Sequence, residues 1–137
     1  MKALLRVVAT AALLLAAVHA FAQETDIIDR WYQALLKADR AALAELLADD
    51  ATIRLEDIGV TQTKAEFIAS MDEWEAAVSG ATIRHTVESQ EGDTTTVLAC
   101  YDFPTSKMLM RETFTTRDGR IVANTQVTVG DGACGSP

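Results

Sequence analysis

The feature that most constrains this chain is a change of hydrophobic period at Gly80. Before it, apolar residues recur at helical spacing; after it, they alternate. Ile27, Ile28, Trp31, Leu35 and Ala38 form one apolar stripe, with Asp26 and Asp29 in the first turn and Thr25 placed as its cap. Asp39 is placed to cap a second, shorter helix with Leu43, Leu46 and Leu47 inward, ended by Asp49-Asp50. Ala51-Thr52-Ile53-Arg54-Leu55 alternates as a short strand. Thr63-Lys64-Ala65-Glu66 is a capping box, opening a third helix through Phe67, Ile68, Met71, Trp74 and Val78, and Gly80 suits its end with a positive φ. Four strand-like runs follow, roughly 81–89, 94–102, 107–116 and 120–129. Glu91-Gly92-Asp93, Phe103-Pro104-Thr105-Ser106 and the hairpin signal Asp118-Gly119 separate them. Turns this short make neighbours antiparallel, so the runs predict a meander. Helices gathered before such a sheet define an α+β fold with three N-terminal helices covering one face.

The first 22 residues read differently. Lys2 and Arg6 precede an apolar run from Val7 to Val18, too short to span a bilayer, and Ala20-Phe21-Ala22 supplies small residues before a cut at Gln23. This is the layout of a secretory signal (1–22), leaving residues 23–137 as one domain that is periplasmic or secreted. No cysteine follows the apolar core, so no lipid anchor is expected. The formal net charge is −8, and losing Lys2 and Arg6 makes it −10. A chain this acidic is repelled by phosphate backbones and anionic lipid, which argues against nucleic-acid and membrane partners after processing.

Cys100 and Cys134 survive processing. With a single mature histidine, His85, they are too few for a zinc site, and no metal or other cofactor is expected. In an exported chain the pair reads first as a disulfide, with two unrelated thiols as the alternative.

The order of elements carries a resemblance. The run Arg30–Asp39, then Leu43, Leu46-Leu47-Ala48-Asp49-Asp50-Ala51-Thr52, resembles the opening of a nuclear transport factor 2-like domain, closest to its SnoaL-like and ketosteroid-isomerase-like branches. Thr63–Phe67 resembles the start of that family's third helix, and the meander completes the set. The resemblance implies a cone: a curved antiparallel sheet, closed on one side by the helices, around an apolar cavity. For the isomerase branch it implies a carboxylate base shortly after Asp-Asp-Ala-Thr, a tyrosine on the first helix and a buried protonated carboxyl. Leu55 and Trp31 occupy the first two places, with Tyr32 one step around the helix, so isomerase chemistry is not supported. The family spans several activities and non-enzymatic binders, so fold does not fix function here.

Strand alternation supplies the other candidates. Ile83, His85 and Val87 share a face, as do Val97, Ala99, Tyr101 and Phe103, and Met108, Met110, Glu112 and Phe114. Counting from a two-residue turn at Asp118-Gly119 puts Glu112 opposite Thr125 and Met110 opposite Val127, with Ile121, Ala123, Thr125, Val127 and Val129 facing inward. One buried face then carries three polar tips: His85, Tyr101 and Glu112. An unpaired carboxylate in a dry interior is costly, so Glu112 needs a partner, a cavity or a raised pKa. A His85–Glu112 pair is one solution; a structural pair or a wet cavity wall is another. Trp31, Tyr32, Leu55 and Trp74 are expected to line the cavity, together with Met108, Met110 and Phe114. The acids Asp72, Glu73 and Glu75 read most simply as a solvated helix face. No Gly-rich phosphate loop, Gly-x-Ser-x-Gly elbow or His-Glu-x-x-His motif is present. Three readings follow. The first is an exported domain binding a small apolar molecule. The second is an isomerase, cyclase or dehydratase with His85, Glu112 and Tyr101 as its acid/base and oxyanion groups. The third is a homodimeric interaction module using the exposed sheet face.

Overall fold

The computed structural model describes residues 18–19, 22–131 and 134. The expected signal, residues 1–22, therefore lies almost wholly outside the described residues. Helix α1 covers 22–36 and is already running at Thr25, which is not its cap. It ends where Ala38 turns left-handed (φ 48°), the amides of Ala38 and Asp39 closing onto Leu35 and Ala34 carbonyls. Asp39 then caps α2 (Arg40–Leu46), its carboxylate accepting from the Ala42 amide at 3.0 Å. Strand β1 (Leu47–Leu55) follows at once, so Leu47 belongs to the strand. A single 3₁₀ turn (Glu56–Ile58) ends at Gly59 (φ 65°) and leads into β2 (Val60–Thr63), a strand the alternation did not reveal. Helix α3 (Lys64–Val78) opens on the expected capping box between Thr63 and Glu66, and Gly80 beyond it has φ 76°. Strands β3 (Thr82–Glu91), β4 (Thr94–Asp102), β5 (Lys107–Arg117) and β6 (Arg120–Asp131) form the expected meander.

The α+β class with three helices stands, but the curved, cone-shaped antiparallel sheet does not. All six strands lie in one open sheet ordered β2-β1-β6-β5-β4-β3, with β2 and β3 as separate edges. Closing a cone would bring these edges toward each other. The sheet is also mixed, because β1 runs parallel to β6. Short turns dictate the direction of sequence neighbours only, and β1 and β6 are joined by no turn. The core lies between the helices and one sheet face, with Ile28, Trp31, Leu43, Ile53, Phe114 and Ile121 at 0–1% exposure.

The β5–β6 hairpin turns as expected, Asp118 and Gly119 both taking positive φ. Its register then slips: Thr116 faces Ile121 but Thr115 faces Ala123, so Val122 is an extra residue. Glu112 consequently faces Gln126 rather than Thr125, and Met110 faces Thr128 rather than Val127. On the other side of the sheet Cys100 and Cys134 form the expected disulfide, with Cα atoms 5.5 Å apart. No described helix is long and apolar enough to cross a membrane.

Candidate functional site

A pocket of about 520 Å³ opens between α3 and the sheet. Helix α3 supplies one wall, since its 3.6-residue period puts Phe67, Met71 and Trp74 on the face toward the sheet, with Ser70 and Glu73 beside them. The opposite wall is sheet: Leu55 from β1, Tyr101 from β4, Met108 and Met110 from β5, and Gln126 from β6. Tyr101 and Met108 are cross-strand partners, as are Leu55 and Gln126. Asp57 and Ile58 from the 3₁₀ turn stand at the mouth. Trp74 is fixed by its indole N–H, which donates to the Leu35 carbonyl at 2.7 Å, and its ring meets Tyr101 edge-on at 6.0 Å.

Behind the pocket lies a buried polar cluster. The Tyr101 hydroxyl donates to Glu112 at 2.5 Å, and Glu112 is 0% exposed. Burial pushes the Glu112 carboxyl up to about 7, opposed by Tyr101, Asn124 and Tyr32. Asn124 and Tyr32 lie close enough to act on the charge, although neither completes a hydrogen bond to Glu112 by distance and angle. Glu112 Oε2 and the Tyr32 hydroxyl are both buried without a hydrogen-bond partner among the described residues. The phenols of Tyr101 and Tyr32 are themselves pushed above their ordinary value, first by burial and then by the Glu112 charge. The cluster therefore favours a proton on both tyrosines and allows Glu112 to exchange one near neutrality.

The candidates divide accordingly. Leu55, Trp74, Tyr101, Met108 and Met110 line the pocket. Trp31 and Phe114 do not; both are 0% exposed, and Trp31 stacks on Phe67 at 5.3 Å within the core. Tyr32 is also core, lying between the aromatic rings and Glu112. His85 and Glu112 do not pair. His85 stands on β3, two strands from β5, with Nε2 2.7 Å from an Asp29 carboxylate oxygen and its ring stacked on Tyr32 at 4.5 Å. Alternation gave both side chains the correct face but carried no information on distance within it.

Sequence reasoning missed Asp57, Gln62, Glu73 and Gln126. Asp57 lies in the 3₁₀ turn, where Thr128 holds it through backbone N–H (2.9 Å) and hydroxyl (2.7 Å). Gln126 was turned inward by the Val122 bulge. Gln62 sits on the unforeseen β2. Among the described residues, no group of three or more His, Cys, Asp or Glu is arranged to hold a metal.

Three helices on one face of a six-stranded mixed sheet place the chain in the nuclear transport factor 2-like, ketosteroid-isomerase-like superfamily. The chain belongs to the SnoaL-like domain family, whose model matches residues 28–124. Among solved structures it is similar to IdmH, a proposed polyketide cyclase from Streptomyces antibioticus (24% identity, TM-score 0.62, 77% of this chain and 91% of that one). It is also similar to a proposed polyketide cyclase from Sinorhizobium meliloti (27% identity, TM-score 0.57, 74% and 94%). A third is a protein of ketosteroid isomerase-like fold from Catenulispora acidiphila, solved with trimethylamine (22% identity, TM-score 0.60, 74% and 83%). No curated protein sequence matches the chain.

Proposed function

We propose that the protein binds a small, mainly apolar molecule between α3 and the sheet. The observation that carries this reading is the pocket itself, about 520 Å³, within the size range of small-molecule sites. Leu55, Met71, Met108 and Met110 offer apolar and adaptable walls, and Trp74 and Tyr101 offer aromatic ones. A neutral apolar fluorophore such as N-phenyl-1-naphthylamine should bind saturably. Met110→Trp should fill the space and abolish binding at a stability cost of about 1–3 kcal/mol. An unchanged binding curve in that variant would remove the pocket from the account.

One observation favours a second reading, acid/base catalysis of the cyclase, isomerase or dehydratase type. Tyr101 lines the pocket and contacts a carboxyl that titrates at about 7, so the pair could give a proton to a bound carbonyl compound or receive one. His85 has no part in this reading, being held by Asp29. Turnover of a substrate that survives Glu112→Gln undiminished would dismiss it.

The reading keeps the chain exported, with residues 1–22 removed, so protein from its host should begin at Gln23. The alternative of a homodimer formed through the exposed sheet face is checked by light scattering.

A further inference from the structure

The pocket's charge is one-sided. Among the described residues its charged lining side chains are Asp57 and Glu73, both exposed, and no Lys, Arg or His lines it. Neither carboxylate forms an ion pair among the described residues. The nearby basic groups are engaged elsewhere: Arg40 holds Asp72 and Glu75, and Lys64 holds Asp49 and the Leu47 carbonyl. The acid run on α3 is therefore divided, with Asp72 and Glu75 bolting α3 to α2 while Glu73 stands unneutralised over the pocket. Asp57 is fixed rather than free, because Thr128 binds one oxygen twice and leaves the other available. Trp74 shares the lining with the two acids, its ring locked by its bond to Leu35.

We propose that the pocket is built for a hydrophobic amine: a ligand with an apolar body under α3 and one protonated nitrogen at the mouth between Asp57 and Glu73. The inference rests on the binding reading above and names its ligand class. An alkylammonium stays charged at neutral pH, as a lysine does. Placed at the mouth it keeps part of its hydration and meets two carboxylates. A carboxylate or phosphate ligand would face the same two acids with no cation to offset them. The chain's net charge of −8 adds a field of the same sign.

Three probes sharing one skeleton separate the cases: 4-phenylbutylamine, 4-phenylbutan-1-ol and 4-phenylbutanoate, titrated by calorimetry at low and at high salt. The amine should bind roughly tenfold tighter than the alcohol, and the carboxylate several-fold weaker than the alcohol. Added salt should narrow this spread. Glu73→Gln and Asp57→Asn should each reduce the amine's advantage over the alcohol by about threefold; glutamine on an exposed helix position and asparagine retaining an acceptor for Thr128 both preserve the fold. If the alcohol binds but the amine binds no tighter, or the carboxylate binds as well, the inference is overturned and the binding reading stands. If none of the three binds, both fall.

Discussion

Glu112 is the residue whose physics is most exposed to measurement. Its carboxyl rises from 4.5 to about 7 because burial penalises the charge more than Tyr101 relieves it. Between those values the folded chain keeps a proton that the unfolded chain releases. The group's stabilising contribution is full below 4.5 and is lost as pH rises through about 7, a decline of roughly 3 kcal/mol at most. Asp50, Glu66 and Glu88 move the other way, held down by Arg117, the Thr63 backbone and Arg111, so their contributions vanish only at lower pH. Urea unfolding at about pH 5 and about pH 8 should therefore show the protein less stable at the higher pH, and Glu112→Gln should flatten the difference. A difference of equal size in the variant would assign it to another group. Tyr101→Phe strands a buried carboxyl and should cost about 1–3 kcal/mol, read from the same unfolding curves.

At the scale of elements, most of the local structure was legible and the long-range pairing was not. Capping chemistry marked the starts of α2 and α3 because Asp39 and Thr63 satisfy orphan amides in ways that sequence spacing shows directly. Thr63→Ala should accordingly cost about 1 kcal/mol, measurable by thermal melting, and weaken the wall that carries Trp74. Alternation identified the inward faces of β3, β4 and β5 correctly. It failed on β6 because one extra residue, Val122, inverts the faces from Ala123 to Thr128, and nothing in Ile121-Val122-Ala123 advertises a bulge. The pocket lining draws on the same irregularities: Asp57 and Gln126 reach it through a 3₁₀ turn and a bulge, which alternation does not show. Trp31 and Phe114 were misplaced for a simpler reason, since an inward aromatic can fill a core or line a pocket and period does not say which.

Across the whole molecule, the open mixed sheet, three helices and one disulfide hold a pocket whose walls come from α3, five of the strands and the 3₁₀ turn. The Cys100–Cys134 bond spans 34 residues and pins the segment after β6 to β4. In the chain-entropy account a loop of this length is worth about 4 kcal/mol. Reductant should lower the melting temperature by roughly 10–20 °C while leaving ligand affinity nearly unchanged, because the bond lies on the sheet face away from the pocket. The central claim is that this pocket takes up a small apolar molecule, and the methionines report on it directly. Of the four in the chain, Met71, Met108 and Met110 line the pocket and Met1 precedes it in the expected leader. With methyl-labelled methionine, titrating N-phenyl-1-naphthylamine should shift the Met71, Met108 and Met110 signals together, saturating with one common affinity. Methyl signals that stay fixed, or drift without saturating while the protein remains folded, would contradict the account.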